Sequence, residues 1–169
     1  MSLSMYQSSV PVFVHALRNL SAVLRKGEAH VEGKGVTGDV LLQTRLIPDM
    51  MPLVRQVQIA TDIAKNGAAR LAGVDPLKFE DNETSFEQLY ARIDRAVDYI
   101  GSFSAEQLDG SEARPIVVPS RTWGDRHFEG RPYLLDFVLP NLFFHTTTAY
   151  AIVRQAGTGV GKADFLGLS

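Results

Sequence analysis

Cysteine is absent from this chain of 169 residues. Its absence excludes disulfides, thiolate metal ligands and a thiol nucleophile together, and leaves nothing that points to an oxidising compartment. A surplus of either charge is missing too, since 17 Lys and Arg stand against 19 Asp and Glu for a formal net charge of -2. That balance offers no global field for a phosphate backbone or an anionic lipid surface, so neither nucleic acid nor membrane is expected as a partner. No apolar run is long enough to span a bilayer, and Met1 to Val14 lacks the basic start and long apolar core of a signal peptide. The expected location is cytoplasmic.

What is present is enough apolar material for one core: 45% of the residues are hydrophobic. A chain of this size can bury such a core without covalent staples, so a single domain over residues 1–169 is expected. No internal repeat or low-complexity stretch divides it.

Four segments carry helical periodicity when projected at about 100° per residue. The first runs from about Ser4 to Lys26, with Phe13, Leu17, Leu20 and Leu24 on one side, and Pro11 either kinks it or marks its true start. A short helix capped by Thr37 reaches Leu46. A longer one begins near Asp49, tolerates Pro52 in its first turn and ends near Gly73. Leu53, Val57, Ala60, Ala64 and Leu71 point inward from it, while Arg55, Gln58, Asp62 and Lys65 point outward. A third spans about Thr84 to Ser102 on Phe86, Leu89, Ile93, Val97 and Ile100. Residues 103–131 read as a loop with a small hairpin around Ile116-Val117-Val118. A last helix runs from Pro132 to about Gln155, kinked at Pro140. The fold class is therefore all-α, a four-helix bundle with a small hairpin or long loop before the last helix.

On that last helix Leu134, Val138, Leu142, Ala149 and Ile152 define the apolar face, and His145 projects near its middle with Asn141 and Thr148 a turn to either side. A buried imidazole or amide must find a hydrogen-bond partner, so this polar row implies a mutual pairing, a water or a ligand inside the bundle. Asp49 and Gln56 lie at the edge of the core face of the preceding long helix. If the two helices are neighbours, Asp49, Gln56, Asn141, His145 and Thr148 line one polar pocket, with His145 as general base or single metal ligand. The bland alternative is a purely structural network. His15 projects away from the core and reads as a surface residue.

The segment Gly157-Thr158-Gly159-Val160-Gly161-Lys162 fails as a phosphate loop. Its first spacing is short by one, Ala163 stands where magnesium needs a hydroxyl, and a helix precedes it in place of a strand. No nucleophile elbow or paired-carboxylate pattern appears.

Three stretches together carry a family likeness: Arg45-Leu46-Ile47-Pro48-Asp49-Met50, Leu139-Pro140-Asn141-Leu142-Phe143-Phe144-His145-Thr146-Thr147-Thr148-Ala149-Tyr150, and Gly161-Lys162-Ala163-Asp164-Phe165-Leu166-Gly167. They resemble an uncharacterised domain-of-unknown-function family within the DinB/YfiT-like superfamily. The resemblance implies a four-helix bundle, often a homodimer. It also implies kinship with divalent-metal hydrolases and thiol transferases that hold nickel or zinc with one His from the second helix and a His-x-x-x-His pair on the last. Here His145 takes one place of that pair, Ala149 stands four residues later, and no His occurs from Val31 to Arg126. The reading that results is a bundle with a degenerate metal site that binds a small molecule around His145 and Asn141. A divalent-metal enzyme using His145 with oxygen ligands, and a structural or interaction protein, are the alternatives.

Overall fold

The computed structural model describes residues 3–120, 122 and 124–168, so Met1 and Ser169 of the expected domain, and residues 121 and 123 of the predicted loop, lie outside the described residues. Pro11 marks the true start of the first helix. Its ring supplies the fixed φ of a first turn and lacks an N–H that would have had no partner there, and α1 (Val10–Glu32) begins beside it instead of at Ser4. Residues 5–9 form turns, in which the Ser9 hydroxyl donates to the Met5 carbonyl at 2.6 Å. At its other end α1 outruns Lys26, because Val31 is still buried against the core.

Helix α2 (Gly38–Gln43) stops short of Leu46 where Thr44 turns extended. The next helix, α3 (Leu53–Ala72), starts after Pro52 and not near Asp49. The Met50 N–H closes a turn onto the Ile47 carbonyl at 3.1 Å, and the Leu53 N–H reaches back to Thr44, so the chain at Pro48-Asp49 is still turning. Gly73 ends α3 in the left-handed conformation at φ 74°, which a residue with a Cβ rarely adopts. Helix α4 (Phe86–Gly101) is capped by Ser85, whose hydroxyl accepts the Gln88 N–H. After α5 (Ala105–Leu108) the expected hairpin appears as β1 (Pro115–Val118) and β2 (Arg126–Glu129), antiparallel with Ile116 opposite Phe128.

The last long element is continuous but not uniform. Helix α6 (Gly130–Pro132) passes into a π-helical stretch, Tyr133–Val138, and then into α7 (Leu139–Gln155); α8 (Lys162–Leu166) closes the described chain. The widened turn lies directly before Pro140. It accommodates the lost hydrogen bond and the bulk of the ring that an α-helical interior would resist, so the predicted kink is realised as a change of winding.

Helix α1 packs on α4 and α7, and α3 packs on the same two, which sets the cyclic order α1, α4, α3, α7 around one core. Phe13, Leu17, Leu53, Ile93 and Leu142 meet there, each at most 1% exposed. Small residues set the closest approaches: a Cβ at Gly67 would lie 2.8 Å from Val138 and one at Gly27 2.9 Å from Val153. The first draws the end of the π-helical stretch against α3 and the second draws α7 against α1.

Two residues assigned to the solvent side of α3 are instead buried. Gln58 is 2% exposed and Lys65 3%. The connector between α3 and α4 folds back over that face and carries Phe79, Asp81 and Glu83 onto it.

Candidate functional site

The close packing of α3 on α7 brings Gln56 and His145 together. Gln56 is 2% exposed and held at both ends of its amide: Nε2 donates to the Met51 carbonyl at 3.0 Å, and Oε1 lies 2.7 Å from His145 Nδ1. Because that oxygen can only accept, the ring nitrogen facing it carries the proton, which makes Nε2 the lone-pair nitrogen of the neutral ring. Nε2 makes no hydrogen bond with any described residue and is not sealed from solvent. Burial alone pushes the imidazole below its ordinary pKa of 6.5, which favours the neutral form. The ring is half-buried, nearer the rim of the core than its middle, and the exposed Phe144 meets it edge-on at 5.1 Å.

The other members of the polar row divide. Asn141, one turn before His145, donates from Nδ2 to the Phe137 carbonyl at 2.9 Å, at the junction of the π-helical stretch with α7. Among the described residues its Oδ1 has no partner, so Asn141 and His145 do not satisfy one another and two acceptors stand open on successive turns. Thr148 is buried but spends its hydroxyl on the Phe144 carbonyl at 2.7 Å, and Thr146 does the same toward Leu142. Asp49 is exposed in its turn and forms no hydrogen bond or ion pair with Gln56, Asn141 or His145. The structure therefore joins Gln56 and His145, leaves Asn141 one turn earlier bonded to the Phe137 carbonyl, engages Thr148 with its own helix, and leaves Asp49 outside.

The donor chemistry does not fit the metal expected of the superfamily. An open catalytic zinc centre uses about three protein ligands. Among the described residues no group of three or more His, Asp or Glu is placed to hold an ion. The Gln56 oxygen is committed to an imidazole N–H, and Ala149 is apolar and fully buried. One unprotonated imidazole nitrogen remains, two ligands short of such a centre.

A second polar cluster lies on the α3–α4 face, and the sequence did not announce it. The guanidinium of Arg92 is 2% exposed; its Nε donates to Thr61, Nη1 to Glu83 and Nη2 to Asp62, with Asp81 at 3.0 Å. Lys65 pairs with Asp62, and Lys65, Arg92 and Arg95 all lie over the ring of Phe79. Burial lowers the Lys65 pKa despite the neighbouring carboxylate. Every hydrogen-bonding arm of Arg92 is engaged, so this cluster clamps the connector to the bundle. The available signal was a connector carrying Phe79, Asp81 and Glu83 opposite an amphipathic helix with Arg92 on its inward half.

The comparisons accord with this geometry. Residues 5–166 match the model of the family described as Domain of unknown function (DUF1993). No curated protein matches. The crystal structure of a DinB family member protein from Shewanella denitrificans is similar at 41% sequence identity and a TM-score of 0.87, over 96% of this chain and 91% of that one. A family match over nearly the whole length, together with a shared bundle at that identity, places this chain in the DUF1993 family of DinB-like proteins.

Proposed function

We propose that the protein binds a small molecule at His145, through hydrogen-bond acceptors in place of a metal. One observation carries the reading: the 2.7 Å bond to Gln56 fixes the proton on Nδ1 and leaves Nε2 unpartnered and open. With the Asn141 amide one turn away, the site offers two acceptors, Nε2 and Oδ1, and the second N–H of the Asn141 amide as a donor. The matching ligand presents O–H or N–H groups and an apolar face for Phe144. Nε2 is also placed to accept a proton from such a group, so a ligand with an acidic O–H or thiol is a substrate class for general-base chemistry. A homodimer, as the sequence likeness implies, is compatible with this site.

The test combines metal analysis with ligand screening on protein purified without a His tag. Sub-stoichiometric nickel and zinc are expected, together with an Nε2 15N resonance that moves when hydroxyl- or amine-bearing aromatic fragments are added and shows no such response in Asn141→Ala. Stoichiometric metal lost in His145→Ala would restore the metalloenzyme reading, and an Nε2 resonance indifferent to every fragment would leave His145 a structural residue.

A further inference from the structure

The opposite flank of α7 carries a separate hollow. While His145 faces α3, the side chains of Phe143, Thr146 and Tyr150 turn toward α1 and, with Val12, Ala16 and Leu20, enclose about 180 Å³. Helix α8 closes one side. Its attachment is unusual for a helix in a folded core, because none of its residues is buried. It is held by polar contacts along its edge: Asn19 Nδ2 donates to the Phe165 carbonyl at 3.1 Å, His15 Nε2 lies 3.2 Å from the Leu166 carbonyl, and Lys26 pairs with Asp164. Phe165 and Leu166 thereby border the hollow, with the Phe165 ring meeting Tyr150 edge-on at 5.9 Å.

The lining says what could fill it. It is mainly apolar, with four polar side chains among its walls: the Thr146 hydroxyl donates to Leu142, the Asn19 amide nitrogen to Phe165, the Tyr150 hydroxyl to Val160 at 3.5 Å, and His15 Nε2 faces the Leu166 carbonyl. Among the described residues no Lys, Arg, Asp or Glu lines the hollow to hold an ionic ligand. Water needs two or more polar partners to settle in such a space, whereas an apolar cavity of roughly 150 Å³ accepts a benzene-sized molecule. An occupant would also restore the dispersion contacts that Phe165 and Leu166 forgo over empty space.

The geometry points to a second binding site, beneath α8, for a small uncharged apolar molecule of about one ring in size. Helix α8 acts as its cover, latched by the polar edge contacts and lined by Phe165 and Leu166. The site is independent of the His145 reading, since the two lie on different flanks of α7 and share no residue.

The full-length chain, labelled at its methyl groups, is titrated with toluene and, separately, with benzoate. Toluene is expected to shift the methyls of Val12, Leu20 and Val23 saturably and to raise Tm, while benzoate binds at least about ten-fold more weakly. Ala16→Phe, which fills the hollow, abolishes the shifts. Should that variant not fold, Leu166→Ala on the exposed cover lowers toluene affinity several-fold, and His145→Ala leaves it within about two-fold of the parent. The proposal is overturned by the lack of a saturable shift, by benzoate binding as tightly as toluene, or by unchanged binding in both wall variants. Methyl shifts that grow with protein concentration and without toluene would overturn it too, assigning the hollow to a second copy of the chain.

Discussion

Gln56 and His145, 89 positions apart in the chain, are joined by a hydrogen bond of 2.7 Å in which the ring N–H donates and the amide oxygen accepts. Replacing Gln56 by Ala leaves both that N–H and the Met51 carbonyl without their partner. The expected cost is ~1 to 3 kcal/mol, read as a lower urea midpoint. Gln56→Glu acts differently: a carboxylate facing Nδ1 favours the imidazolium, so the His145 titration followed by NMR moves to higher pH than in the parent. No change in either measurement would mean that the pair does not hold the ring.

The pH dependence of stability follows from the direction of the His145 shift. Burial lowers its folded-state pKa below 6.5, so the unfolded chain takes up the proton first. Stability is then fully present above the unfolded value and is lost as pH falls from there through the lowered folded value. Melting temperatures are expected to decline on the acid side of about pH 6.5, and to decline less in His145→Asn. The other histidines remain in that variant, so the difference between the two proteins isolates this ring.

Arg92 is expected to be the most sensitive position outside the apolar core. Arg92→Met removes the cation that joins Asp62, Asp81 and Glu83; because Asp62 and Asp81 are about a third exposed and keep Lys65 and Arg55, the expected cost is ~1 to 3 kcal/mol in urea denaturation. Arg92→Lys keeps the charge but not the fork that reaches Thr61, Glu83 and Asp62 together, and is also expected to destabilise. Acid should loosen the same clamp. Burial works against the Asp81 charge, yet the hydrogen bond from Arg55 and the nearby Arg92 hold its pKa below the ordinary 3.8. Its contribution is present above the unfolded value and disappears as pH falls through the lowered one.

Gly130→Ala tests the junction between hairpin and last helix. A Cβ there would stand 1.9 Å from the Ser111 carbonyl oxygen, a backbone atom that cannot swing aside. A loss of at least ~1 to 3 kcal/mol is expected, seen as a fall in Tm. Gly159→Ala is the control, because nothing lies within 4 Å of its added carbon and its Tm should match the parent.

The parts of the fold that repeat a simple period were legible in the sequence. Phe13, Leu17 and Leu20 on α1, and Ile93 and Ile100 on α4, are buried where a projection at 3.6 residues per turn puts them. Gln56 and His145 were legible only as members of one pocket conditional on neighbouring helices, Gln56 at the edge of its face and His145 near the middle of its own, whereas Gln56 is buried and His145 sits at the rim. Asp49 was misplaced because an acidic residue before an apolar run signals a helix start, whereas Pro48 and Pro52 keep the chain turning until Leu53. Lys65 and Gln58 were misread because a projection treats a helix as facing one core. Their side of α3 meets a connector that the period cannot see: Gln58 donates to Glu83 there, and Lys65 lies over Phe79 while pairing with Asp62 of its own helix.

The π-helical stretch at Tyr133–Val138 has a consequence for how this helix evolves. A π turn closes its hydrogen bond one residue later than an α turn, so it behaves like a residue inserted without lengthening the loop on either side. Everything after it is rotated by about 100° relative to an uninterrupted helix. At its first residue, Tyr133 is buried beside Phe128 of the hairpin and accepts from Arg70; after it, His145 meets Gln56. One rod thus keeps two appointments in different phases. Deleting a single residue from the stretch would allow only one of them, so insertions and deletions here are constrained as tightly as substitutions in the core.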